Sequence, residues 1–169
     1  MSVKLGEVQA DPSALYSLSS EDFERMLADR FAAMGFEVGR VGKTNRKDGG
    51  IDLVAWPKLS TPFPFLLAVQ VKHHHSATTK TSVKDVRDFH GVLNSGGSAF
   101  HLGVLVTSTT FTADAKWFAE KNENLIRLRG LADLTRWMRD DFGTDFDWRE
   151  IHSSIEVTRA TLIKSQHLR

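Results

Sequence analysis

The sequence predicts an α/β domain, a mixed central β-sheet flanked by α-helices. Three observations carry this. Residues 65–72 form a nearly continuous apolar run, as expected of a central strand buried on both faces. Short strand patterns at 36–41 and 51–56 precede it closely, so these first strands can pair antiparallel. After residue 82, helix and strand patterns alternate, which favours parallel crossovers.

The elements follow in order. Residues 1–17 show no clear period and are expected to be a loosely ordered lead-in. Ser19 reads as a helix N-cap, with Asp22 three residues on. Leu18 and Phe23 are placed to staple the first turn. Phe23, Met26, Leu27, Phe31 and Met34 then recur at helical spacing, and Gly35 supplies the stop. The segment 42–50 is polar, basic and Gly-rich, a loop. Residues 57–64 hold three prolines and also read as a loop.

Further on, Val83, Val86, Phe89 and Leu93 share one side of a helix over 82–94, ended by Gly96 and Gly97. A strand at 100–107, a helix opened by Thr112 through 123, a strand at 125–128 and a helix over 131–142 complete the pattern. The stretch 151–169 lacks a clean period. The four tryptophans, Trp56, Trp117, Trp137 and Trp148, read as packing residues. The division expected is a lead-in at 1–17, one domain at 18–147, and an extension or linker at 148–169.

Composition narrows the function. The chain has 169 residues, 41% of them hydrophobic and 25% charged, which suits one soluble domain. No apolar run approaches the roughly 20 residues that span a bilayer. Cysteine is absent, which excludes disulfides and thiolate zinc sites and fits a cytoplasmic protein. The net charge is only +1, so phosphate binding must come from a local patch rather than a global field.

The chemistry concentrates at the end of the apolar strand. Side chains alternate faces along a strand, so Gln70 and Lys72 share one face while Val69 and Val71 pack on the other. A lysine at the end of a buried strand needs a partner. Asp52, between Ile51 and Leu53, supplies a candidate: its neighbours pack on one face and it projects to the other. A carboxylate plus neutral oxygens suits Mg²⁺. Glu24 lies about 20° from Phe31 on the helical wheel, at the edge of the apolar stripe. It is either a surface acid suited to the helix dipole or a further group facing the sheet. Asp48 is either a turn aspartate or a second acid.

His73, His74 and His75 cannot all face one ion from a strand, so they read as the rim of the site. Arg40, Lys43, Arg46 and Lys47 precede the Gly49-Gly50 turn, and Lys80, Lys84 and Arg87 follow the strand. Such runs are usually solvated faces, but both flank the candidate site and could contact phosphate. Ser108, Thr109 and Thr110 read as turn or helix-start residues.

Together, Glu24, Gly50-Ile51-Asp52 and Gln70-Val71-Lys72 resemble the catalytic core of the Mrr-like restriction endonucleases, in the PD-(D/E)XK nuclease superfamily. The resemblance covers residues 18–142. Val106-Thr107-Ser108 with Phe111-Thr112 and Ala115 is similar to the family's next strand and helix start. Leu128-Arg129-Gly130-Leu131 is similar to its last strand-to-helix turn.

The resemblance implies a restriction-endonuclease-like core at 18–147 and a Mg²⁺-dependent endonuclease acting on DNA, of restriction or defence type, with Mn²⁺ able to substitute. It implies Asp52, Gln70 and the Val71 carbonyl as metal ligands, with Gln70 in place of the more usual acid. Lys72 is then the catalytic lysine and Glu24 a further catalytic acid. Lys43, Arg46, Lys47, His73, His75 and Lys80 are the expected nucleic-acid contacts. One site cuts one strand, so a homodimer or a fused or partner specificity domain is expected. Two alternatives stay open: a weak or inactive nuclease fold that binds DNA, and a structure-specific repair or junction nuclease.

Overall fold

The structure is a computed structural model and describes residues 2–41, 50–58 and 65–143. The expected strand and helix order is present. Helices are α1 (Ser2–Ala10), α2 (Ser20–Ala33), α3 (Val83–Leu93), α4 (Ala113–Lys121) and α5 (Leu131–Trp137). Strands are β1 (Phe36–Arg40), β2 (Leu53–Pro57), β3 (Leu67–Lys72), β4 (Lys80–Thr81), β5 (Leu102–Thr107), β6 (Thr110–Phe111) and β7 (Ile126–Arg129).

Five strands form the main sheet in the order β1-β2-β3-β5-β7. The β1–β2 and β2–β3 pairs are antiparallel, and the β3–β5 and β5–β7 pairs are parallel. Strand β3 is therefore central, and it is the strand where the two pairing modes meet. The two-residue strands β4 and β6, which no sequence period signals, pair in parallel beside it.

Helices cover both faces. On one, Phe23, Leu27 and Phe31 of α2 and Leu134 and Trp137 of α5 pack on Leu53, Val69, Val104 and Val106. On the other, Val86, Phe89 and Leu93 of α3 and Ala115 and Ala119 of α4 pack on Ala68 and Leu105. Val104 and Val106 face one layer and Leu105 the other, as strand alternation requires.

The local signals act as expected at α2. The Ser19 side chain accepts from the Asp22 N–H, Leu18 and Phe23 are both buried, and Gly35 takes φ +98° after the last turn.

Three expectations are corrected. The lead-in is structured: α1 is followed by a 3-10 helix (Pro12–Ser17), and Val8 and Leu15 are buried in the core. Long-range packing, with Gln9 Nε2 donating to the Met138 carbonyl, holds a segment that has no strong period of its own. Trp117 is 58% exposed rather than packed, because Ala115 and Ala119 take the inward positions of α4 and residue 117 points the other way. Trp137 is in the core, and Trp148 lies outside the described residues. Ile51 and Leu53 pack in opposite layers rather than on one face, because β2 begins only at Leu53 and strict alternation does not reach Ile51.

Candidate active site

The site is built where β2 starts and β3 ends, which antiparallel pairing brings side by side. Leu53 registers with Val69, so Asp52 is level with Gln70. The Asp52 N–H donates to the Val69 carbonyl at 2.9 Å, and the Val71 N–H donates to Asp52 Oδ2 at 2.6 Å. A charge-assisted bond of that length fixes the carboxylate against the strand. Its position comes from this bond rather than from the face its neighbours leave.

Gln70 is buried, at 8% exposure. Its Nε2 donates to the Gly50 carbonyl at 2.9 Å, which settles the orientation of the amide. Oε1 is then the acceptor end, and it is buried with no hydrogen-bond partner among the described residues. Gly50 makes this approach possible. Its φ is +83°, and a Cβ there would lie 2.5 Å from Gln70 Nε2.

Lys72 shares Gln70's face of β3, but its partner is one that sequence reasoning missed. Lys72 Nζ lies 3.1 Å from Asp85 Oδ1, at the first turn of α3. Asp85 Oδ2 meanwhile accepts from the N–H and Oγ of Ser82, closing the capping box of α3. Desolvation is the largest single influence on Asp85 and raises its pKa. The hydrogen bonds from Ser82 and Lys72 and the lysine's charge together outweigh it, and the carboxyl sits below its ordinary value. The only advance signal was the Ser82-x-x-Asp85 spacing, which marks a helix start and says nothing of a lysine.

A buried hydroxyl chain lies behind Lys72. Thr81 Oγ1 donates to Thr107 Oγ1 at 2.9 Å, and Thr107 Oγ1 donates to the Lys72 carbonyl at 3.1 Å. His74 Nε2 is 2.9 Å from Thr81 Oγ1. The Thr81 proton is committed to Thr107, so His74 Nε2 is the donor. The His74 N–H also donates to Ser108 Oγ at 2.8 Å. Ser108 and Thr109, expected as turn or helix-start residues, are fully buried in this cluster.

The remaining expected residues are placed as follows. Glu24 is largely buried, and Arg40 of β1 holds it at 3.5 Å. His73 is packed rather than open: Nε2 is 2.9 Å from the Leu15 carbonyl, and the ring lies 4.8 Å from Phe23. Desolvation holds its pKa below the ordinary value. His75 is exposed, with Nδ1 3.0 Å from the Tyr16 carbonyl. Lys80 is exposed on β4. Lys43, Arg46, Lys47 and Asp48 lie outside the described residues.

An oxygen-ligated divalent cation fits this donor set. Asp52 supplies a carboxylate, and the buried, unpartnered Gln70 Oε1 supplies a neutral oxygen beside it. Among the described residues no group of three or more His, Cys, Asp or Glu is arranged for a metal. A site here is therefore carboxylate-poor.

Comparison with known proteins bears on the fold and the family. A restriction endonuclease family, the Mrr catalytic domain, matches residues 15–138. Among solved structures, the fold is similar to AF1548, a protein of unknown function, at TM-score 0.56 and 18% identity over 85% of this chain and 78% of that one. It is similar to the restriction endonuclease MspJI, solved in complex with a 27-mer oligonucleotide, at TM-score 0.51 and 18% identity over 90% of this chain and 40% of that one. It is also similar to AspBHI, a DNA modification-dependent restriction endonuclease, at TM-score 0.58 and 14% identity over 96% of this chain and 41% of that one. The chain thus spans about two fifths of the length of either restriction enzyme. No curated protein sequence matches it. With a five-stranded mixed sheet and a family match over residues 15–138, the chain belongs to the Mrr-type restriction endonuclease family.

Proposed function

We propose that this chain is a divalent-metal-dependent endonuclease that hydrolyses phosphodiester bonds in DNA, of restriction or defence type. One observation carries the reading: Gln70 Oε1 is a buried acceptor without a partner, level with the Asp52 carboxylate. Leaving such an acceptor unsatisfied costs free energy, which a cation in that place would recover.

Asp52, Gln70 Oε1 and the Val71 carbonyl would hold the ion, with Mg²⁺ the natural choice and Mn²⁺ able to substitute. When bound, the ion supplies Lewis-acid stabilisation of charge at the scissile phosphate. Lys72 adds a positive charge on Gln70's face of the strand, where it orients the attacking water and balances the phosphate. Glu24 takes part through water, its charge being shared with Arg40 until substrate arrives. Lys80 and His75, both exposed, are candidate phosphate contacts at the rim, whereas His73 is packed against Phe23 and Leu15; Lys43, Arg46 and Lys47 stay phosphate contacts on the sequence pattern alone. Target choice then comes from a fused or partner domain or from a second copy of the chain.

Nicking of supercoiled plasmid in Mg²⁺ or Mn²⁺ tests the reading. The wild type is expected to nick, and Asp52→Ala and Lys72→Ala to lose activity by about a hundredfold or more. Variants that cleave like the wild type would show the assignment to be wrong. The neutral amide at Gln70 favours a second reading, a nuclease fold that binds DNA without cutting it. Salt-dependent DNA binding with no cleavage in either metal would establish that instead.

A further inference from the structure

Both ends of Lys72 are tied to one short segment, residues 81–85. Its ammonium meets Asp85 Oδ1 at 3.1 Å. Its carbonyl accepts from Thr107 Oγ1, and that hydroxyl accepts in turn from Thr81 Oγ1. The two Asp85 oxygens have separate tasks. Oδ2 caps α3 through Ser82, and Oδ1 alone reaches the lysine.

Stability does not account for this pair. The two side chains are 31% and 34% exposed, and ion pairs at such exposure contribute little. A lysine stem is flexible, however, and a group that must meet a phosphate in one geometry gains from being held. The start of α3 is a rigid reference, because its capping box is complete and Thr81 is anchored by the Thr112 N–H at 3.0 Å.

We propose that Asp85 is a positioning residue for Lys72: it holds the lysine ammonium against the first turn of α3, so that the charge is presented to the reacting phosphate from a fixed place. This rests on the nuclease reading of Lys72. Asp85 touches neither phosphate nor metal and acts only through the lysine.

The test uses the full chain and five variants. Asp85→Asn keeps the shape and the capping acceptor but removes the charge. Asp85→Glu restores the charge. Ser82→Ala breaks the cap and leaves the Lys72 pair. Lys72→Ala and the double variant Asp85→Asn/Lys72→Ala complete a cycle. Plasmid nicking gives kcat and KM. The acetylation rate of Lys72, followed by mass spectrometry without metal or DNA, gives the freedom of the ammonium independently of activity.

Asp85→Asn is expected to lower kcat about tenfold with KM within about twofold, and to raise Lys72 acetylation several-fold. Asp85→Glu is expected to recover part of the kcat. Ser82→Ala should lower Tm and lower kcat by less than Asp85→Asn does, because Asp85 keeps its charge beside Lys72. The double variant should be no slower than Lys72→Ala. Wild-type kcat and wild-type acetylation in Asp85→Asn would overturn the proposal. So would a double variant well below Lys72→Ala, or a kcat loss in Ser82→Ala matching that in Asp85→Asn. Should Lys72→Ala cleave like the wild type, the nuclease role of Lys72 falls and its positioning for catalysis falls with it. Should the wild type not cleave at all, equal acetylation in wild type and Asp85→Asn overturns the clamp as well.

Discussion

Gln70 Nε2 donates to the carbonyl of Gly50 at 2.9 Å, so a glycine two residues before Asp52 decides where the other end of the Gln70 amide points. The same glycine has φ +83° and no room for a Cβ beside Nε2. Gly50→Ala is therefore expected to strain the turn by about 1 kcal/mol and to push the Gln70 side chain aside. Nicking should fall by about tenfold or more while the chain stays folded, as checked by plasmid nicking beside circular dichroism. Unchanged nicking would mean that the Gln70 amide has no part in the reaction.

Gln70→Glu adds a second carboxylate beside Asp52. Affinity for a hard cation rises with ligand charge, so Mn²⁺ binding without DNA should tighten by about tenfold, read by calorimetry. The metal-free variant should melt below the wild type, because two adjacent carboxylates repel and the added one is buried. Equal Mn²⁺ affinity would place the ion elsewhere.

Gly103 offers a control remote from the chemistry. A Cβ there would run into Leu93 Cδ1 and come within 2.9 Å of Phe89 Cε1, where α3 packs on β5. Gly103→Ala should cost about 1–3 kcal/mol in urea unfolding by overpacking. At temperatures where the variant is folded, its nicking rate per folded molecule should match the wild type.

Burial pushes His74 below its ordinary pKa, against the pull of Asp85 and with the push of Lys72. The unfolded chain takes up this proton near pH 6.5, the folded chain only at lower pH. The unfolded state therefore binds more protons below about pH 6.5, and folding stability should fall as pH drops through that window. Asp85, with its pKa lowered, stays ionised there. His74→Gln keeps a donor for Thr81 and cannot titrate. Its Tm between pH 7 and pH 5 should decline less than the wild type's. An identical decline would assign the effect to other groups.

The features legible in the sequence are those with local causes. Ser19, Leu18 and Phe23 announce α2 within five residues, and β3 announces itself by its apolar run. Gln70 and Lys72 share a face because strands alternate. What was not legible depends on the crossover. The Lys72–Asp85 pair needs α3 folded back beside β3, and Asp52 was expected to fill that role because it is the carboxylate of the neighbouring strand. His73 reads as a rim residue because it follows Lys72. The packing of its ring on Phe23 depends on where the 3-10 helix carries Leu15. Segment α1 has too weak an amphipathic pattern to be read, and its place is set by contacts more than a hundred residues away, such as Gln9 with Met138.

The change of pairing mode at β3 has a kinetic consequence. The meander β1-β2-β3 closes through short connections, whereas β3–β5 pairing must wait for a crossover of some thirty residues. Non-local pairing of that kind is slow to nucleate. Asp52 and Gln70 can thus meet early in folding, while Lys72 meets Asp85 only once the crossover has closed. A nascent chain would bring Asp52 level with Gln70 before it brings Lys72 to Asp85. Pulse-labelling by hydrogen exchange during refolding should show the Val71 amide protected ahead of the Ser108 amide, and the reverse order would overturn this sequence of pairing.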